Sequence, residues 1–190
     1  MTLLIQAVAC VVVFLWASFF EWFIHRNFMH ARRFPLEEAY RGHTLLHHQI
    51  YHGERFFAKK EDHPPHLMLR PITFPSILLL HVPFFLLFEW LTGISILWGG
   101  SVACVLYYVG YEYTHYLMHV PAGHFVERFR WFQFLREHHR LHHTFARRNY
   151  NVFVPLADAC LGTLVTSDSP EGRPRRSRRS SSRKKSARRL

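Results

Sequence analysis

Cysteines are few in this chain, acidic residues are outnumbered, and long stretches carry no charge; each shortage narrows what the protein can be. Three cysteines, Cys10, Cys104 and Cys160, stand far apart among 190 residues, and none forms a CxxC pair. An odd, scattered set is not a disulfide framework. Two of the three lie in apolar runs, as expected for small buried side chains. No Rossmann glycine fingerprint, haem motif or ferredoxin cysteine set appears, so electrons for any redox chemistry come from a separate partner. The acidic residues number 13 against 24 Lys and Arg, a net charge of +11. From Glu171 to Leu190 ten Lys/Arg meet one acidic residue, so that stretch holds +9 of the total and the rest of the chain is close to neutral.

The uncharged stretches are long. Thr2 to Phe23 is almost wholly apolar, with Gln6 and Glu21 the chief exceptions. That is enough to cross a bilayer, which takes about 20 residues. A signal peptide fits poorly, because no Lys or Arg precedes the run and Arg26 follows it. Ile72 to Trp90 has only His81 and Glu89 as ionisable groups, and Thr92 to Tyr111 has no charged residue. The two are joined too closely for a domain between them and read as a membrane hairpin, with Pro75 and Pro83 expected to kink its first arm. Eight Lys/Arg lie between His25 and Pro71, and the chain after Arg128 is also basic, whereas the hairpin tip has no positive charge. The positive-inside rule therefore places both basic regions in the cytoplasm.

The expected fold is all-α: an integral-membrane helical bundle of about three spans with a cytosolic histidine-rich helical cap. Residues 1–166 form the membrane-embedded domain and 167–190 a basic disordered tail, with almost no apolar residues to bury. The tail suits anionic headgroups, each Lys or Arg contributing about 1 kcal/mol near the surface, or plain solvated disorder, ahead of non-specific nucleic-acid binding. Specific nucleic-acid binding is not expected.

What the chain has in excess is histidine, 16 in all. Ten fall in four boxes. HRNFMH holds His25 and His30; HTLLHH holds His43, His47 and His48; HYLMH holds His115 and His119; HHRLHH holds His139, His142 and His143, with His138 just before them. Residues three and four apart share a helix face, so His139, His142 and His143 project together and His115 stacks on His119. The pairs His25/His30 and His43/His48 are five apart and need a helix end or a bend to converge. Each neutral imidazole offers one lone pair to a metal at about 2.0–2.1 Å, and imidazole suits Fe, Zn, Cu and Ni. Ten ligands are too many for one ion and suit two. A lone HxxxH arises often by chance; four boxes on one predicted side of a membrane do not. His52 could ligate or support a ligand, and His138 could replace His139. His63, His66 and His124 read as solvated loop residues. His81, in mid-span, is either functional or bonded to a backbone carbonyl. Glu21, Glu112 and Glu137 lie near boxes and are candidates to hold ligand rings, or ordinary polar residues at helix ends. A loose twofold echo runs through the order: a span then histidines, a hairpin then histidines.

In this order around a membrane hairpin, HRNFMH, HTLLHH, HYLMH and HHRLHH resemble the fatty acid hydroxylase/sterol desaturase superfamily. The likeness runs from about Phe20 to Thr163 and includes NYNVFVPLADACLGT, Asn149 to Thr163, which is similar to the segment ending that catalytic domain. It implies O2-dependent hydroxylation or desaturation of an unactivated C–H bond in a lipid, as in lipid biosynthesis. It also implies two Fe ions, with Zn as a substitute, and O2 as co-substrate. The electron donor would be an external reductase with a cytochrome or ferredoxin. The implied ligands are His25, His30, His43, His47, His48, His115, His119, His139, His142 and His143. One box departs from the pattern: HxxxHH stands here where the fatty acid 2-hydroxylases have HxxHH, which bears on His43. Carotenoid hydroxylases, similar in size and histidine order, are a subfamily alternative. Rivals of other classes are a histidine-rich metal-ion transporter, a haem-binding electron carrier, and a membrane relative without catalysis.

Overall fold

The computed structural model describes residues 2–62 and 67–169; residues 170–190, most of the expected basic tail 167–190, lie outside the described residues, as do His63 and His66. Those described form helices and no strand. Three are long: α1 (Thr2–Ile24), α4 (Thr73–Thr92) and α5 (Leu97–His119). The rest are shorter: α2 (Glu37–Tyr40), α3 (His48–Ile50), α6 (Arg130–Thr144) and α7 (Leu156–Cys160), with π-helical and 3-10 turns between.

Two helices, α1 with its continuation to Met29 and α4, are long and apolar enough to cross a membrane. The third expected span differs. The uncharged stretch stops at Tyr111, but α5 runs on to His119, because Glu112, Thr114 and His115 are buried against other segments instead of ending the helix. Pro75 falls in the first turn of α4, where a missing N–H is tolerated, and only Pro83 is interior. Gly93 ends that helix in the left-handed conformation, φ 68°, which glycine adopts without a Cβ penalty.

Both α1 and α4 pack on α5. Val13, Phe85, Ala103 and Cys104 form the buried contact. Between apolar helices in lipid, association depends on close backbone approach and polar pairs more than on the hydrophobic effect. Both are present. The Gln6 side chain donates to the Ser95 carbonyl at 2.7 Å and accepts from the Gly99 amide at 2.7 Å, tying the start of α1 to the start of α5. A Cβ at Gly99 would lie 2.1 Å from the Gln6 carbonyl oxygen, so only glycine fits there. The outward faces keep large apolar side chains exposed, among them Leu3, Leu79, Trp90 and Trp98.

Because α1 and α5 begin together and run the same way, His25 and His119 leave the bundle at one end. The short helices gather there. Phe132 and Leu135 of α6 pack on Leu117 and Met118 of α5. Tyr150 and Ala157 pack on Trp22 of α1, whose indole N–H donates to Thr163 at 2.8 Å.

Candidate metal centre

Two kinds of helical turn present the histidines. His115/His119 and His139/His143 are four apart on α-helices, where such pairs share a face. His25/His30 and His43/His48 are five apart, and both lie across π-helical turns. The first, His25–Met29, continues α1 and is closed by His30 N–H to His25 C=O at 3.0 Å. The second, Arg41–His47, follows α2 and is closed by the His48 N–H on the His43 carbonyl. A π-turn holds one more residue than an α-turn, so five-apart side chains come into register, and such turns recur at functional sites. The bend these pairs require is thus a change of helix type. The HxxxHH spacing that sets the second box apart fits this turn as HxxHH fits an α-turn, and His43 takes its place among the other rings.

All ten box histidines converge, in two groups. His25, His30, His43, His48 and His142 form the first, with Nε2 atoms 2.7 Å apart for His25/His43, 2.9 Å for His30/His142, 3.0 Å for His43/His48 and 3.1 Å for His48/His142. His47, His115, His119 and His139 form the second. His143 joins it, with Nε2 3.1 Å from those of both His47 and His139, and stacks on His48 of the first group with ring centroids 4.2 Å apart. The partition follows the loose twofold echo. Each group takes one whole pair, the first and last histidine of one triplet, and the middle histidine of the other: His142 crosses into the first group and His47 into the second.

Burial disfavours a charge on these rings. Burial, and then neighbouring imidazoles, lower His30 to about 3, and burial lowers His142 to about 4. His43, His48, His139 and His143 are pushed well below the ordinary histidine value, first by burial and then by the surrounding imidazoles. A carbonyl accepts only, so a ring bonded to one carries its proton on Nδ1. His25 donates to Tyr150, His142 to Arg148 at 2.7 Å and His119 to Phe56 at 2.8 Å. His115 bonds the Leu67 backbone. These four rings then turn bare Nε2 lone pairs into the two groups, and the buried His115 Nε2 has no hydrogen-bond partner. Lone pairs crowded in this way repel unless a cation lies between them. Two bonds of about 2.1 Å meeting at right angles put their nitrogens about 3 Å apart, which is the spacing found. The donor set therefore fits a metal ion in each group, and nitrogen-only donors suit Fe, Zn, Cu or Ni over Mg or Ca.

The other candidates are placed elsewhere. His138 turns away from both groups and meets Asp158 at 3.1 Å. His52 donates to the His143 carbonyl at 3.2 Å. His81 donates to the Ile77 carbonyl at 2.8 Å, and the exposed His124 caps the turn at Phe125–Arg128. Glu21, Glu112 and Glu137 hold no histidine ring in the hydrogen bonds they make. Glu21 accepts from Tyr107 and the Val152 amide at 2.5 Å each, Glu112 accepts from the Leu69 amide, and Glu137 pairs with Arg140. Backbone carbonyls hold His25, His142 and His119 instead, and Thr44, whose hydroxyl donates to Met29, lies 3.4 Å from His30 Nδ1. Carbonyls are common to every residue and leave no mark in a sequence.

A family model described as fatty acid hydroxylase matches residues 10–163. Two curated relatives are similar to the chain: fatty acid 2-hydroxylase of Macaca fascicularis, 29% identical over 156 residues, and fatty acid 2-hydroxylase of Homo sapiens, 29% identical over 155. Each alignment covers 80% of this chain but 38% of the relative, so the chain spans well under half the length of the relatives it matches. No solved structure matches it.

Proposed function

The chain belongs to the fatty acid hydroxylase family, and from that premise we propose that it hydroxylates the alkyl chain of a membrane lipid with O2, at two iron ions held by ten histidines. The observation that carries the reading is the pair of imidazole groups, each with ligand nitrogens spaced for one ion. Bound iron would supply the activation of O2 and the oxidation of an unactivated C–H bond. One oxygen atom enters the C–H bond and the other leaves as water, with an electron pair from an external reductant and two protons from solvent. A reductase with a cytochrome or ferredoxin fits that role.

The chain's own residues bind, orient and exclude water. Tyr150, Arg148 and Phe56 fix the tautomer and plane of three rings, and such partners raise a ligand's basicity. Nine of the ten rings are buried and His30 is half-buried, which keeps bulk water from the metals. The exposed apolar faces of α1 and α4 lie in lipid in this reading, and the substrate's tail reaches the site from there. Three helices would cross the bilayer, with α5 the most buried, and the basic segments would put the histidines and the tail on the cytoplasmic side. A transporter would need ligands along a path through the membrane. His81, the one mid-span histidine, is bonded to Ile77 instead.

Lipid mass analysis of cells with and without the protein tests the proposal. A lipid gaining one oxygen atom is expected. Loss of two hydrogens would make the enzyme a desaturase, and an unchanged lipid profile in cells supplied with iron would defeat the catalytic reading.

A further inference from the structure

Asp158 is fully buried on α7 and accepts four hydrogen bonds: from the Tyr150 amide at 2.9 Å, the Asn151 amide at 2.7 Å, the Thr163 hydroxyl at 2.6 Å and His138 Nε2 at 3.1 Å. Burial pushes its carboxyl up, but hydrogen bonds from His138, Thr163 and Asn151 outweigh that and hold it below the usual carboxylate range. The segment it grips is irregular. Asn149 sits at φ 55°, in the left-handed region, and its side chain donates to the carbonyls of His138 at 3.0 Å and Val165 at 2.9 Å. A conformation of that kind persists only where its surroundings over-determine it.

The carbonyls on either side of Asn149 are those of Arg148 and Tyr150, the acceptors for His142 and His25. Both histidines belong to the first group. The second group draws its backbone acceptors from another part of the chain, Phe56 for His119 and Leu67 for His115. We infer that Asp158 is a positioning residue for the first metal centre alone, fixing His25 and His142 through the Arg148 and Tyr150 carbonyls. The inference rests on the two-metal reading above. It makes the first group separately sensitive to one carboxylate that touches no metal.

Asn at this position keeps the size but turns an NH2 toward donors that need an acceptor. The test uses full-length, detergent-purified protein loaded with ferrous iron, with release to an iron(II) chelator followed by absorbance. Asp158→Asn should make about half of the iron leave about 10–100-fold faster, the range for loss of a group that orients a ligand. Combined with His25→Ala it should add no further fast fraction; combined with His119→Ala it should make all the iron fast. Equal acceleration of all the iron, or none, overturns the inference. Wild-type protein that holds no iron would instead overturn the metal-centre reading beneath it. If Asp158→Asn does not fold, Thr163→Val removes one donor at similar volume. It should speed release from the same half of the iron by a smaller factor, and release from the other half or from neither overturns the inference.

Discussion

His43 and His48, five residues apart, bring their Nε2 atoms to 3.0 Å because the backbone between them winds as a π-turn rather than an α-turn. One residue fewer would break that register, since a residue in an α-helix turns by about 100°. Deleting Leu46, whose side chain is exposed, gives HxxHH on what would become an α-turn. The three rings remain on a shared face but the chain before them rotates, so His25 and His30 lose their fit to His43. At least a tenfold loss of iron affinity is expected, comparable to losing a group that orients a ligand. Iron content by mass spectrometry checks it, and undiminished binding would show the π-turn to be incidental.

His142→Ala and His143→Ala should each abolish turnover and lower bound iron while the protein still inserts in the membrane. His142 is the histidine of its triplet that crosses to the first group, and His143 stacks on His48 between the groups. Full activity in both variants would remove the ligand assignment.

Adjacent His138 and His139 should behave differently. His139 Nε2 meets that of His119 at 3.0 Å, whereas His138 faces Asp158. His139→Gln is expected to lose iron from the second group. His138→Gln should keep both ions and lose about 1–3 kcal/mol of stability, the usual cost of a broken buried hydrogen bond. Metal analysis beside denaturant unfolding separates the two outcomes.

Acid should weaken the metal-free fold. His30 and His142 stand at about 3 and about 4 in the folded protein against an ordinary 6.5, mainly through burial. Between those values the unfolded chain binds more protons than the folded one. Stability is therefore complete above 6.5 and declines as pH falls toward 3. The thermal midpoint of iron-free protein should fall as the buffer goes from about pH 7.5 to about 4.5. A flat profile would mean that the rings are solvated.

Gly99→Ala should loosen the helix bundle. The new methyl would sit 2.1 Å from the Gln6 backbone oxygen, which cannot rotate away, and the Gln6 clamp would open. Overpacking of this kind costs about 1–3 kcal/mol or more. Gly110→Ala should cost less, because its clash is with the movable Phe153 ring. Yields of monodisperse protein in detergent give the comparison.

What the sequence determined by itself is local. Apolar runs marked the long helices, and histidine spacing marked the ten rings, because both depend on residues within a turn or two of each other. The spacing of five even implied a bend, though not its form. Only the tertiary structure decided how the rings divide. His25 shares a group with His142 and His47 with His139, contacts between segments that fold together from opposite ends of the domain. It also decided that Glu21, Glu112 and Glu137 serve backbone and arginine partners, that His138 faces Asp158, and that α5 continues past its last apolar stretch. Those outcomes depend on carbonyls and amides that every residue carries alike, and on which of them the fold leaves in need of a partner.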